Sequence, residues 1–150
     1  MKLKVPPALV AFVIGLVMWG FDHSIHPAFA IFTVPQWPYR LILGVAVTVG
    51  VLALYQFIQN RTTVDPHKPG HASKLVTGGI YRFSRNPMYV ALLILMIGFG
   101  FKLGNLFSLL LLPLFVMYMN RFQITPEEEI LREKFGVEFE NYTSQVRRWL

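Results

Sequence analysis

Two polar segments of this 150-residue chain, residues 60–88 and 122–150, carry the side chains best suited to chemistry. Glu127 begins an acidic run in the second segment, and a carboxylate there can hold the ammonium group of a ligand. Tyr81 and Tyr89 in the first segment offer aromatic faces that attract cations. These residue types favour a ligand of mixed charge, bound where the two segments meet.

Each of these side chains also has a purely structural explanation. Pro126 suits the first turn of a helix, and Glu127 directly after it would complement the helix dipole. A tyrosine in a membrane protein commonly anchors the interface with water. Arg85 is better explained by pairing with a carboxylate such as Glu128 than by chemistry on a substrate. Sequence position alone therefore leaves both explanations open.

Histidines and a possible metal site are the other candidates for chemistry. His67 and His71 have Pro69 and Gly70 between them and cannot share a helix face, so both are predicted to lie in a loop, and no general base is assigned. His23 and His26, with Asp22 beside them, are potential metal ligands, but no further strong ligand follows at helical spacing. The chain has no cysteine, which excludes thiolate catalysis, disulfides and iron–sulfur clusters. No metal is predicted.

The composition indicates an integral membrane protein. Hydrophobic residues make up 54% of the chain and charged residues 15%, whereas a soluble domain carries roughly 25% charged residues. The mean hydropathy is +0.47. The formal net charge of +6 is then explained by loop charges that set membrane orientation, and nucleic acid is not an expected partner.

Four apolar blocks are candidates for membrane-spanning helices, each of which needs about 20 mostly apolar residues. They are residues 3–21, 41–58, 89–101 and 106–119. Residues 102–105 allow only a tight turn, so the last two blocks are predicted to form an antiparallel hairpin. Residues 22–39 are predicted to be a loop. The predicted fold is therefore an all-α membrane domain with about four transmembrane helices.

The basic residues predict how this domain is oriented. Of the 14 Lys and Arg residues, 12 fall on one side of the four-helix arrangement, and Arg40 and Lys102 fall on the other. The positive-inside rule then places both termini and the connector, residues 60–88, in the cytoplasm. A competing interpretation takes Ala28-Phe29-Ala30 as a signal-peptide cleavage site, but the apolar run before it is long for a signal peptide.

A single domain with four parts follows from these assignments. Residues 1–59 supply two membrane helices, residues 89–121 supply the hairpin, and the connector and residues 122–150 meet on the cytoplasmic side. Pro and Gly residues in the connector exclude a long regular helix. Residues 122–150 are predicted to form an amphipathic helix interrupted at Gly136, with Trp149 docked at the membrane interface. The apolar face of this helix comprises Ile130, Leu131, Phe135 and Phe139.

Two motifs in the polar segments resemble those of the isoprenylcysteine carboxyl methyltransferase and phospholipid methyltransferase superfamily. The first is Leu75-Val76-x-x-Gly79-x-Tyr81-x-x-x-Arg85-Asn86-Pro87-x-Tyr89. The second is Glu127-Glu128-x-x-Leu131-x-x-x-Phe135-Gly136-x-x-Phe139-x-x-Tyr142. The motifs occur in the family's order, separated by a hairpin of the expected length. The resemblance covers residues 62–149.

The resemblance implies a membrane enzyme that uses S-adenosylmethionine, held between the connector and the C-terminal helix. Carried over position by position, the cofactor-binding residues would be Ser73, Lys74, Leu75, Val76, Tyr81, Asn86, Pro87, Met88, Tyr89 and Glu127. Arg85, Glu128 and Arg121 would support the substrate or the structure. Membrane lipids are expected partners, and the acceptor would be a prenylated thiol or carboxylate, a phospholipid amine, or a small apolar thiol or amine.

Departures from the family pattern leave the acceptor open. Ala91 stands where the family often has Gly, Gln123 stands where the prenylcysteine enzymes have a substrate-associated Arg, and only two spans precede the connector. Two other functions remain as alternatives. A membrane reductase of related fold would use NADPH, but four short spans argue against it. A non-catalytic protein could keep the cofactor fold, although the motif residues argue against that.

Overall fold

The computed structural model describes residues 5–29, 35–60, 74–104 and 106–150, and the regular structure within these ranges is helical. The elements in chain order are α1 (Pro7–Phe29), α2 (Gln36–Gln59), a 3-10 turn (Gly79–Arg82), α3 (Pro87–Leu103), α4 (Leu106–Leu110), α5 (Leu112–Met119), a π-helical segment (Asn120–Ile124), α6 (Thr125–Phe135) and α7 (Val137–Gln145). The all-α class predicted from the sequence is confirmed.

Three helical stretches in the described ranges are long and apolar enough to cross a membrane: Pro7–Ser24, Trp37–Gln59 and Phe107–Phe135. The remaining predicted block forms α3, an apolar helix of 17 residues. At 1.5 Å per residue α3 is about 26 Å long, slightly less than the ~30 Å of a bilayer's hydrocarbon core. The structure therefore contains three full-length candidates and one shorter apolar helix.

The loop predicted for residues 22–39 is wrong over most of its length. α1 continues to Phe29 and α2 begins at Gln36. Backbone polar groups near membrane depth are best satisfied within a helix, which agrees with the greater length of both helices. His23 stacks on Trp19, with 5.6 Å between ring centroids. No group of three potential metal ligands occurs among the described residues.

A tight turn at Gly104 joins the last two apolar blocks, which are predicted to form a hairpin. α3 ends at Leu103, Gly104 takes a left-handed φ of 69°, and α4 starts at Leu106. The second arm is not one straight helix, because the chain turns at Leu111 before α5 begins. Pro113 in the first turn of α5 explains this interruption, since proline cannot donate the backbone hydrogen bond of a continuing helix.

The chain from Leu112 to Phe135 follows one continuous helical path through α5, the π-helical segment and α6. Ile124 and Thr125 both have α-helical backbone angles. Pro126 lies in the first turn of α6, as the sequence predicts, but α6 continues the preceding helical path and is not a separate helix. In a regular α-helix the proline ring collides with the carbonyl group four residues earlier, and the wider π turn directly before Pro126 makes room for it.

The predicted interruption at Gly136 is confirmed. Gly136 has φ 51° and ψ −124°, a conformation that only glycine adopts without strain. It allows α7 to turn back beneath the connector. Leu131 and Phe135, from the predicted apolar face of residues 122–150, pack around a cluster formed by Leu75, Phe139 and Tyr142.

The main hydrophobic core joins α1, α3 and α5. Met18, Phe115 and Met119 are fully buried in it, and Met96 nearly so. Trp149, which the sequence predicts to dock at the membrane interface, packs against this core. The consequence is that the last residues of the chain are tied to the membrane-spanning bundle itself.

Candidate active site

A cavity of about 460 Å³ lies at the end of the bundle where α1 begins, α2 ends and α3 begins. The connector and helices α6 and α7 complete its wall. The lining residues are Pro6, Pro7, Ala8, Gly50, Phe57, Lys74, Leu75, Val76, Tyr81, Arg85, Asn86, Met88, Tyr89, Ala91, Leu92, Glu127, Glu128, Leu131, Phe139 and Tyr142. Both polar segments singled out in the sequence therefore meet at this cavity.

Eight of the ten residues predicted to bind the cofactor line the cavity: Lys74, Leu75, Val76, Tyr81, Asn86, Met88, Tyr89 and Glu127. Pro87 is buried at the start of α3 but is not among the lining residues. Ser73 lies outside the described residues. Arg85 and Glu128 line the cavity, whereas Arg121 is exposed, with its guanidinium 5.7 Å from the ring centroid of Phe122.

Two hydrogen bonds orient the carboxylate of Glu127. The phenol of Tyr89 donates to its Oε1 over 2.6 Å, and the amide Nε2 of Gln123 donates to the same oxygen over 2.7 Å. Gln123 is only 2% exposed and precedes Glu127 by four residues, the spacing that brings helical side chains together. This role of Gln123 was not predicted from the sequence, although its spacing of four residues from Glu127 was the available signal.

The helix-dipole explanation of Glu127 does not hold in this structure. The dipole effect acts in the first turn of a helix, where backbone N–H groups lack partners. Glu127 instead lies within the continuous helical path that begins at Leu112. The structure shows that Glu127 lines the cavity and that Tyr89 and Gln123 donate hydrogen bonds to its carboxylate.

The neighbouring carboxylate of Glu128 is held by two arginines. Arg85 contacts Oε1 at 2.7 Å and Arg148 contacts Oε2 at 2.6 Å. Arg85 also donates to the backbone carbonyls of Thr143 and Val146. The Arg85–Glu128 pair expected from the sequence is present, and Arg148 is a partner that sequence analysis missed. Glu128 thus joins Arg85 and Arg148 at the edge of the cavity.

Tyr81 belongs to the 3-10 turn that closes one side of the cavity. Its ring meets Phe57 edge-on, with 5.4 Å between centroids, and its carbonyl accepts a 2.7 Å hydrogen bond from the phenol of Tyr142. Burial raises the pKa of both the Tyr81 and the Tyr142 phenol well above the usual value. Both side chains are therefore neutral and able to donate hydrogen bonds.

The structure explains why the first motif has a glycine at position 79. Gly79 has φ 57°, and a Cβ atom there would collide with the side chain of Gln56 on α2. Any other residue would displace Gln56 and strain the backbone. The glycine lets the 3-10 turn lie directly on α2.

Asn86 marks the start of α3, but its side chain does not cap the helix. Its backbone carbonyl accepts the N–H groups of Tyr89 and Val90. Its side-chain Nδ2 donates instead to the carbonyl of Arg148 over 2.9 Å. The side chain of a motif residue is thus used to hold the end of the chain against the cavity wall.

The apolar wall of the cavity comes from the membrane helices. Pro7, Ala8, Gly50, Phe57 and Leu92 contribute to it. Sequence analysis did not assign these residues, because their types are ordinary for membrane helices and only the tertiary packing of α1, α2 and α3 brings them together.

Comparison with known proteins identifies the family. The sequence profile described as phospholipid methyltransferase matches residues 39–138, which are 100 of the 150 residues. This chain belongs to that family. The matched region of this phospholipid methyltransferase family member runs from the start of α2 into α7, so it contains the connector, the hairpin and both carboxylates of the site.

Individual relatives of this family member agree with the resemblance seen in the motifs. A protein-S-isoprenylcysteine O-methyltransferase from Schizosaccharomyces pombe is 36% identical over 107 residues, covering 65% of this chain and 45% of the relative. A probable protein-S-isoprenylcysteine O-methyltransferase from Oryza sativa subsp. indica is 36% identical over 77 residues, covering 51% of this chain and 40% of the relative.

A third relative, an uncharacterized protein of Haemophilus influenzae, is 41% identical over 63 residues, which are 42% of this chain and all of that protein. The alignments span less than half the length of the two relatives named as methyltransferases. No solved structure matches the chain. The resemblance to the isoprenylcysteine and phospholipid methyltransferase superfamily is confirmed.

Proposed function

We propose that the chain transfers a methyl group from S-adenosylmethionine to a lipid-like or small apolar acceptor at the membrane surface. The cavity carries this proposal, because eight of the ten residues that the family resemblance assigns to the cofactor line it. Its volume of about 460 Å³ lies within the range of roughly 300–1,000 Å³ typical of small-molecule sites.

The lining side chains fit the chemical groups of this cofactor. Glu127 is the proposed partner of the ammonium group, and Tyr89 and Gln123 hold its carboxylate in place. Lys74, exposed at the cavity, is the proposed partner of the cofactor's carboxylate. The rings of Tyr81 and Tyr89 are suited to pack on adenine or to face the sulfonium cation.

Bound S-adenosylmethionine would supply an electrophilic methyl group for direct displacement by the acceptor. The chain would supply alignment of the two reactants and exclusion of water. Leu75, Val76 and Leu92 make part of the lining apolar, which supports the second contribution. No histidine lines the cavity among the described residues, and His67 and His71 lie outside them. We assign no general base.

The apolar wall supports a lipid-like acceptor. Gly50 and Phe57 both line the cavity and are seven residues apart, about 10 Å along α2. The wall therefore extends from the connector into the membrane-spanning part of α2. A prenylated thiol or carboxylate, or a phospholipid amine, would place its hydrocarbon part against this wall and its reacting atom near the polar end.

We also propose that the cavity faces the cytoplasm. The start of α1, the end of α2, the connector and α6 all meet at the cavity, which agrees with a topology that puts most basic residues on this side. The chain lacks cysteine, so single cysteines can report orientation. In intact cells an impermeant maleimide should label Trp37→Cys and leave Ser144→Cys unlabelled. The reverse pattern would contradict this orientation.

The first test of the enzymatic proposal is calorimetric titration of S-adenosylhomocysteine into detergent-purified protein. Wild type should bind, and Glu127→Gln should bind at least tenfold more weakly, because it removes the charge and keeps the shape. Glu129→Gln is the matched control, since Glu129 is exposed on the same helix and does not line the cavity. It should bind like wild type.

Transfer itself is tested by incubating the protein with S-adenosylmethionine labelled in its methyl group and with membrane lipids. Label should appear in the organic extract with wild type and not with Glu127→Gln. If well-folded wild type binds no S-adenosylhomocysteine, the proposal fails. Binding of NADPH would then favour the reductase, and binding of neither would favour a non-catalytic membrane protein.

A further inference from the structure

The last residues of the chain form a short non-helical strap, defined here as Val146–Trp149. Helix α7 ends at Gln145, and Val146 has the extended backbone angles φ −122° and ψ 134°. The strap then crosses from α7 to the start of α3 and to α6. None of its residues is among the described residues that line the cavity.

Backbone carbonyls of the strap hold the residues that precede α3. The N–H of Arg85 donates to the carbonyl of Arg147 over 2.9 Å. The carbonyl of Arg148 accepts two hydrogen bonds, one from Ser84 Oγ at 3.2 Å and one from Asn86 Nδ2 at 2.9 Å. Three consecutive residues of the connector are therefore fixed by the strap.

Side chains of the strap reach two further elements. Arg148 makes a two-oxygen contact with Glu128 on α6, with Nε 3.1 Å from each oxygen and Nη2 2.6 Å from Oε2. Trp149 donates from Nε1 to Oδ1 of Asn120 over 3.0 Å and packs against the main core. The strap thus links the connector, the π-helical segment and α6.

Three of the residues held by the strap also line the cavity: Arg85, Asn86 and Glu128. Their polar groups make hydrogen bonds to the strap, which lies on the side of these residues away from the cavity. The strap therefore sets the position of these three residues in the cavity wall. We infer that Arg148 is a positioning residue of the site, whose side chain acts on the bound cofactor through Glu128, while its backbone carbonyl holds Asn86. In that form the inference rests on the proposed function.

A strap that only stabilises the fold would have different effects from a strap that positions the cavity wall. It would add to overall stability and leave the shape of the cavity in the folded protein unchanged. The two roles are separated by measuring cavity accessibility and ligand affinity beside the melting temperature, each in folded protein.

The experiment compares Arg148→Met and Arg148→Lys with Arg147→Met as the matched control. The side chain of Arg147 is exposed on the same strap. Each change is made in wild type and in a Met88→Cys background, where the single cysteine reports on the cavity wall. The measurements are the affinity for S-adenosylhomocysteine, the rate of maleimide labelling without ligand, and the melting temperature.

For Arg148→Met we expect about tenfold weaker binding and at least fivefold faster labelling at 20 °C below its own melting temperature. Arg148→Lys should recover part of both, because it keeps the charge but loses the two-oxygen contact. Arg147→Met should change neither. A lower melting temperature with unchanged affinity and labelling rate would overturn the inference, as would equal effects of both Met variants.

Two further comparisons decide the inference if the wild type does not bind ligand or if Arg148→Met does not fold. If wild type does not bind S-adenosylhomocysteine, the proposed function fails, and the labelling rates alone decide whether the strap positions the cavity wall. If Arg148→Met does not fold, Arg148→Lys replaces it, because this change keeps the charge and loses the two-oxygen contact with Glu128. Arg148→Lys should speed labelling at Met88→Cys about twofold, and an unchanged rate would overturn the inference.

Discussion

The phenol of Tyr89 donates a 2.6 Å hydrogen bond to Oε1 of Glu127, joining the start of α3 to α6 across 38 positions of sequence. Because Gln123 donates to the same oxygen, the carboxylate is oriented by the protein without any ligand. A group held in this way loses little freedom when a ligand binds, which favours affinity.

Removing the Tyr89 hydroxyl should therefore weaken cofactor binding. Hydrogen bonds to charged groups contribute about 1.5–3 kcal/mol. Since Gln123 still holds the carboxylate, we expect a rise of about tenfold in the Kd of S-adenosylhomocysteine for Tyr89→Phe, or ~1.4 kcal/mol. Tyr118→Phe is the control, because Tyr118 packs on Phe122 away from the cavity. Equal affinities of Tyr89→Phe and wild type would contradict this role.

Replacing Gln123 by leucine should affect both stability and binding. The change keeps the side-chain volume roughly constant and removes a buried donor to Glu127. We therefore expect the free energy of unfolding to fall by about 1–3 kcal/mol and the affinity for S-adenosylhomocysteine to decrease. Thermal melting in detergent and calorimetry measure the two effects. Gln145→Leu, at an exposed position of α7, should alter neither. The prediction is wrong if Gln123→Leu binds S-adenosylhomocysteine as tightly as wild type.

Gly136→Ala should destabilise the protein through backbone strain alone. A Cβ at Gly136 meets nothing within 4 Å, but φ is 51°, and such a conformation costs of order 1–3 kcal/mol for other residues. We expect a melting temperature lower by several degrees. Gly15→Ala also has open space, in an ordinary helical conformation, and should be neutral or slightly stabilising. Similar melting temperatures for the two variants would rule out the strain.

Alkaline pH should destabilise the fold through Tyr81 and Tyr142. Burial raises the pKa of both phenols above 10, so the unfolded chain releases these protons more readily than the folded protein. Stability is therefore full below pH 10 and falls as the pH rises above it. Phenolate absorbance of folded protein at pH 11 should be the same for wild type and Tyr142→Phe. A clear decrease in the variant would show that Tyr142 ionises in the folded state.

Much of the helical architecture was predictable from the sequence, because long apolar runs and the Gly and Pro residues between them carry strong local signals. The hairpin turn before α4 and the interruption at Gly136 are examples. The start of α6 was not predictable in the same way. Pro126 followed by acidic residues is typical of a helix start, but the preceding π-helical segment lets the chain continue through it.

The site was predictable where it depends on motif residues, and less so where it depends on tertiary contacts. The motifs placed Tyr89 and Glu127 at one cavity, and the structure adds their hydrogen bond. Arg148 carried no signal, because its partner Glu128 lies 20 positions earlier and a basic residue there is equally explained by topology. The residues of the apolar wall could not be predicted as site residues either, since apolar residues are common throughout membrane helices.

The π-helical segment also determines how the chain tolerates a change in its length. A π turn holds an additional residue relative to an α turn. Deleting one residue between Asn120 and Ile124 would therefore restore an α turn and leave Glu127 on the same face of the helix. The cost would fall on Pro126, whose ring would then meet the carbonyl group four residues earlier and kink the helix.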